Sequence, residues 1–180
     1  DYNKVYDVKI GDSVVWGKKS ASVTITKWSD FQCPYCARST DLISQITKKY
    51  PNDVKVVIKN FPLSSHQQAM KAAKYALAAN DQGKHREMYY KIFENYRELR
   101  NNEDLPLTYA KELGLNVDKL KKDVLSGKYD KQIQKEMNEL QATGMRVAVP
   151  KFLINGKEPQ GRDLAAWSKI IDTELKKNKK

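Results

Sequence analysis

Apolar positions in the first third of the chain follow a strand pattern. Val5-Tyr6-Asp7-Val8-Lys9-Ile10 reads as a strand that stops at the turn pair Gly11-Asp12. Val23-Thr24-Ile25-Thr26-Lys27-Trp28 is β-branched and alternating, and leads straight into Ser29-Asp30-Phe31-Gln32-Cys33. Beyond Pro34 the period changes. Ala37, Leu42, Ile43 and Ile46 fall on one helical stripe, and Pro51 ends the helix. Val54-Lys55-Val56-Val57-Ile58-Lys59 then reads as a further buried strand, so strand, helix and strand imply a parallel pair joined by a right-handed crossover.

From about Ser64 to Thr143 β-branched runs vanish and helical spacing takes over. Ser65 is placed to cap a helix carrying Met70, Ala73, Tyr75, Leu77 and Ala78, which ends near Asn80-Asp81 and Gly83. A second helix holds Met88, Tyr89, Ile92, Phe93 and Tyr96, aromatics whose spacing suits core packing rather than a ligand box. Further helices follow around Thr108–Leu113, Asp118–Leu125 and Ile133–Ala142. Strand signals return at Pro150-Lys151-Phe152-Leu153-Ile154, followed by the hairpin dipeptide Asn155-Gly156 and a short return strand through Pro159 and Gly161. A last helix runs from Asp163 to Lys176 with Leu164, Trp167, Ile170, Ile171 and Leu175 inward.

Composition narrows the class. The chain has 180 residues, 40% hydrophobic and 31% charged, which suits one globular domain, or one domain carrying an insertion. No apolar run reaches the roughly 18 residues of a membrane span. The chain starts at Asp1 with no apolar signal core, as expected either of a mature chain whose leader is absent or of a trimmed chain. The 33 Lys and Arg against 22 Asp and Glu give a formal charge of +11. From Lys111 to Glu136 the lysines interleave with carboxylates, as on a solvated helical face, and the strong cluster is the tail Lys176, Lys177, Lys179, Lys180. No nucleic-acid motif accompanies this charge. It reads as solubility, with attraction to anionic surfaces or acidic partners.

Cys33 and Cys36 are the two cysteines, which excludes a multi-disulfide scaffold. Cys33-Pro34-Tyr35-Cys36 sits where a strand feeds a helix. At a helix N-terminus unpaired N–H groups and the macrodipole stabilise a thiolate. A free thiol of pKa near 8.5 is about 3% ionised at pH 7, whereas such sites lower the pKa to roughly 3.5–7. The second sulfur, three residues on, shares the helical face and lies within disulfide reach. Cys33 is thus the expected exposed nucleophile and Cys36 the resolving thiol. Pro34 suits the first turn, where its missing N–H costs nothing. Zinc would need about four ligands, and His66 and His85 alone remain, without finger spacing. A purely structural bridge closing so short a loop would constrain little of the unfolded chain. Redox exchange is the reading that fits.

Phe31-Gln32-Cys33-Pro34-Tyr35-Cys36, Lys59-Asn60-Phe61-Pro62-Leu63, His66, and Val149-Pro150 before Phe152-Leu153-Ile154-Asn155-Gly156 together resemble the DsbA-like thioredoxin-fold thiol–disulfide oxidoreductases. The likeness runs over nearly the whole chain. It implies an α/β thioredoxin fold with a central mixed sheet, formed by residues 1–62 plus 144–180, and an inserted α-helical domain over 63–143. It also implies that Pro150 is a cis-proline facing the cysteines, and that the backbone of Val149 pairs with an extended, reduced protein substrate. Tyr35, between the cysteines, helps to set the potential. His66 is expected to cap or pack at the start of the insertion rather than to move protons. No metal or other cofactor is required. The expected protein is a monomer in the periplasm or another extracytoplasmic space, oxidising substrates and itself re-oxidised by a membrane partner. A reductase or isomerase of the same fold, and a chaperone-like peptide-binding module, are the alternatives.

Two departures from the relatives stand out. A glutamate is common six residues before the first cysteine, and Lys27 occupies that place here. Lys27 is either buried near the sulfurs, at a cost for an ammonium, or snorkels to solvent; if buried, its charge favours thiolate and a stronger oxidant. Relatives often read Gly-Thr-Pro where this chain has Ala148-Val149-Pro150. The valine lacks a hydroxyl for the thiolate, which opposes the effect of Lys27.

Overall fold

A computed structural model describes residues 1–179; Lys180, the last lysine of the basic tail, lies outside the described residues. Four strands form one mixed sheet: β1 (Val14–Trp16), β2 (Val23–Ser29), β3 (Val54–Asn60) and β4 (Lys151–Ile154), in the order β1-β3-β2-β4. β2 runs parallel to β3, from Val23 opposite Val54 to Ser29 opposite Asn60, and antiparallel to β4. β1 is antiparallel to β3. Helix α1 (Pro34–Lys49) makes the crossover between β2 and β3. Between β3 and β4 come α2 (Ala69–Asn80), α3 (His85–Glu94), a 3₁₀ turn (Tyr96–Arg100), α4 (Leu105–Glu112), α5 (Val117–Leu125) and α6 (Asp130–Ala142); α7 (Leu164–Lys177) closes the chain.

The alternation of β2 sorts its side chains onto two faces. Ile25 joins a large core with Ile43 and Ile46 of α1 and Trp167 and Ile171 of α7. Trp28 points the other way, into a smaller cluster with Tyr6, Phe61, Leu140, Met145 and Leu153. Burying side chains of this size stabilises the fold by roughly 1.5–3 kcal/mol each. Lys27 shares the face of Ile25, between Ile58 of β3 and Phe152 of β4 in register. Of the helices that precede β4, α2 to α5 pack on one another, whereas α6 lies against β3.

Glu136 fixes α6 in place. Its buried carboxylate accepts hydrogen bonds from Ser13 Oγ at 2.7 Å and from the backbone and side-chain nitrogens of Asn60, each at 2.9 Å. Its carbonyl accepts from Trp28 Nε1 at 2.9 Å.

Three expectations need correction. Val5–Ile10 forms no strand; it runs past the Asn155-Gly156 turn, where Tyr6 N donates to Gly156 O at 2.8 Å, and Val14–Trp16 takes the edge of β3 instead. The return strand after Gly156 shrinks to a single bridge between Ile154 and Lys157. Ser65 caps no helix, since α2 starts at Ala69 after Gln68. The hairpin itself forms as its dipeptide demands. Asn155 and Gly156 take φ of 46° and 83°, the left-handed pair of a two-residue turn, and a Cβ on Gly156 would lie 2.9 Å from Tyr6 O.

Candidate active site

The turn from β2 into α1 places the cysteines. Cys33 is the N-cap of α1, with extended φ and ψ of −84° and 121°, and Pro34 opens the first turn. Cys33 N donates to Asp30 O at 3.1 Å, which tightens the turn. No side chain caps this helix. Its orphan N–H groups therefore remain for the sulfur of Cys33.

The two thiols are unequal. Cys33 shows 6% of its surface and Cys36 none, so the expected nucleophile is more enclosed than its position suggested, yet remains the more accessible of the pair. Its pKa falls to about 6, chiefly because the Cys36 thiol donates to its sulfur, helped by the backbone N–H groups of Cys36 and Tyr35; burial and Asp30 oppose this. Cys36 is pushed far above the ordinary thiol range, first by burial and then by its bond to Cys33. Asp30 N lies 3.5 Å from the Cys36 sulfur. Near neutral pH the pair therefore carries one thiolate, on Cys33, and one thiol.

The segment before β4 meets the sulfurs. Cys33 Sγ lies 3.7 Å from Val149 O, and the Val149–Pro150 peptide bond is cis. Pro150 O accepts from Arg162 Nη2 at 2.8 Å. Residues 146–149 make no backbone–backbone hydrogen bond to another element among the described residues, and β4 is an edge strand. Tyr35 points away: it is 63% exposed, with the Arg38 guanidinium 4.6 Å from its ring centre.

Lys27 is completely buried, which decides between the two placements open to it. Its Nζ donates to Cys36 O at 3.3 Å and lies 5.1 Å from the ring centres of both Tyr89 and Phe93. Burial lowers its pKa to about 8, while the two sulfurs pull the other way. The sequence motif thus converges on one place with Pro34, Lys27, Val149 and Pro150 around the cysteines.

Asp30 escapes motif reading. It is buried and accepts from Gln32 N at 2.6 Å, Leu63 N at 2.7 Å and His66 Nδ1 at 3.0 Å. It ties the cysteine turn to the loop after β3, and His66 packs there against Asp30. A carboxylate three residues ahead of Cys33 is the one signal that could have flagged it. Among the described residues no cluster of three or more His, Cys, Asp or Glu side chains could hold a metal.

The sequence profile of the thioredoxin family matches residues 9–173. The chain belongs to the thioredoxin family. Its fold is similar to that of solved thiol–disulfide exchange proteins. It superposes on BdbD from Bacillus subtilis with a TM-score of 0.82 at 23% identity, covering 96% of this chain and 97% of that one. For alpha-DsbA1 from Wolbachia pipientis the TM-score is 0.79 at 18% identity, over 93% and 92% of the two chains. A Na(+)/H(+) antiporter NhaA 1 from Mycolicibacterium gilvum is 29% identical over 150 residues, 82% of this chain but 24% of that protein. The chain thus spans about a quarter of the length of the curated relatives it matches.

Proposed function

We propose that this chain is a thiol–disulfide oxidoreductase that introduces disulfides into extracytoplasmic proteins by exchange through Cys33 and Cys36. The observation that carries the reading is the asymmetry of the sulfurs: a thiolate held at a helix N-terminus on Cys33, a protonated thiol beneath it on Cys36. Stabilising the reduced form in this way makes the oxidised form the better oxidant.

The steps balance with sulfur alone. A substrate thiolate attacks Cys33 Sγ of the Cys33–Cys36 disulfide; the S–S bond breaks, and Cys36 leaves and takes up a proton. The substrate's second thiolate then attacks its own sulfur in the mixed disulfide, and Cys33 leaves as thiolate. Two electrons pass from substrate to enzyme, and a membrane partner outside this chain accepts them in turn. Pro34 leaves the first turn of α1 open, and the free backbone of Val149 offers an extended substrate main-chain hydrogen bonds beside Cys33. Lys27, buried below the sulfurs, favours the thiolate over the neutral pair. Tyr35, at the exposed rim, meets the substrate rather than the sulfurs. The cation transport in the name of the antiporter relatives is not part of this reading.

Equilibration with glutathione tests it. With the Cys33 pKa lowered to about 6, the expected potential is more oxidising than that of thioredoxin, about −270 mV. A pair that forms no disulfide, or one more reducing than thioredoxin, sinks the oxidase reading. Faster reshuffling of a scrambled multi-disulfide substrate than oxidation of a reduced one would favour an isomerase.

A further inference from the structure

A polar cleft of about 770 Å³ opens beside the cysteine turn. Gln32 and Pro34, the two chain neighbours of Cys33, line it on one side; His66, Gln68, Arg97 and Arg100 line it elsewhere. Its near wall is built rather than loose. Gln32 Nε2 donates to Gln68 Oε1 and Gln68 N donates to Gln32 Oε1, both at 2.8 Å, clipping the cysteine turn to the start of α2. His66 is held by Asp30 at 3.0 Å.

The far wall carries an electrostatic oddity. Arg97 and Arg100 lie three residues apart on the 3₁₀ turn Tyr96–Arg100. In a 3₁₀ helix such residues eclipse, so the two arginines leave the turn on the same side, and both line the cleft. No Asp or Glu lines the cleft. Among the described residues neither arginine has an ion pair; Arg97 bonds to Tyr96 Oη at 3.1 Å. Elsewhere in the helical region several lysines are matched, as Lys71 is to Asp104 at 2.7 Å and Lys91 to Glu112 at 2.9 Å. Glu98 lies on the same turn but does not line the cleft; an incoming carboxylate can pair with the two arginines that do through charge-assisted, bidentate hydrogen bonds.

We infer that this cleft is a specificity site for substrate polypeptides bearing acidic side chains next to the reacting cysteine, their carboxylates held by Arg97 and Arg100. The inference rests on the exchange reading above and gives its substrate class. A chain docked along Val149 with its sulfur at Cys33 passes its flanking residues over Pro34 and Gln32 into the cleft. The neutral glutamines and Ser65 serve its main chain.

The test uses three two-cysteine peptides alike except for the residues flanking the first cysteine, which are Glu, Ser or Lys. The oxidised protein should oxidise the Glu peptide about tenfold faster than the Ser peptide at low salt, and the Lys peptide slowest. In Arg97→Ser/Arg100→Ser that ratio should fall towards one. In Lys121→Ser/Lys122→Ser, which removes the same charge from α5 outside the cleft lining, it should persist. An equal ratio in wild type and the arginine variant overturns the inference, as does an equal loss in both variants, which would assign the preference to net charge. If no peptide is oxidised by the wild type, the exchange reading falls. The cleft is then judged by calorimetric binding of the Glu peptide with its cysteines changed to serine: tighter binding to wild type than to the arginine variant supports it, and equal or absent binding overturns it.

Discussion

The ammonium of Lys27 lies 3.3 Å from the carbonyl oxygen of Cys36 and has no carboxylate beside it among the described residues. Two other lysines of the sheet are also buried. Lys59 meets Glu139 at 3.0 Å, Ser13 at 3.0 Å and Lys9 O at 2.9 Å, and Lys151 meets Glu158 at 2.9 Å. Lys27 instead faces two aromatic rings, one carbonyl and the sulfurs. A buried charge without a partner costs stability, and near the reacting atoms that cost has a chemical use.

Lys27→Met should therefore stabilise the protein at pH 7 by about 1–3 kcal/mol, as similar-volume apolar replacements of buried charges do. Burial lowers the folded pKa from 10.5 to about 8. Below pH 8 the folded state bears the full penalty of holding the proton; the penalty fades as pH rises and is gone above the unfolded value of 10.5. The gain should shrink over that window. Urea unfolding of the oxidised protein at several pH values measures it, and a variant less stable than wild type at pH 7 contradicts it.

Lys27→Glu should raise the Cys33 pKa and lower the redox potential, because an anion replaces a cation near the thiolate. A glutathione titration and the pH dependence of thiolate absorbance read both. An unchanged titration would mean that the ammonium does not act on the sulfurs.

Alkylation of the reduced protein should follow a single ionisation near pH 6, with Cys33 reacting and Cys36 inert. The rate rises with pH, since the thiolate is the nucleophile, and levels off above about pH 7. Cys33→Ser should abolish the reaction, whereas a midpoint near the ordinary thiol value would remove the basis for an activated cysteine.

The Cys33 thiolate also links redox state to stability. Its folded pKa is depressed from 9.0 to about 6, so its contribution is full above pH 9 and is lost as pH falls through 6. The reduced protein should gain stability relative to the oxidised one as pH is raised from 6 to 9. Thermal unfolding of both forms across that range tests this, and parallel curves would contradict it.

Glu136→Ala should destabilise the fold by roughly 2–4 kcal/mol, since it strands the buried donors of Ser13 and Asn60. Glutathione equilibration of the variant should leave the potential unchanged, because the carboxylate bonds to neither sulfur.

Much of the site is local and so can be read from the chain. Val23–Trp28 alternates because one strand serves two cores, and the proline after Cys33 marks the first helical turn. Val5–Ile10 has the letters of a strand yet forms none, and three residues, Val14–Trp16, take the edge of β3 instead. So short a run shows no period to detect. Asp30 likewise gains its role from donors in a loop that begins over thirty residues later.

The chain's own letters settle where a thiolate can form: spacing, the N-terminus of α1 and the proline are properties of neighbouring residues. Whether Lys27 lies in water or under the sulfurs depends on α1 and α3 closing over one face of β2. So does the meeting of Val149 with Cys33, two residues separated by most of the chain. Those are long-range packing decisions, made when apolar faces are buried together, and hydrophobic burial has no direction along the sequence.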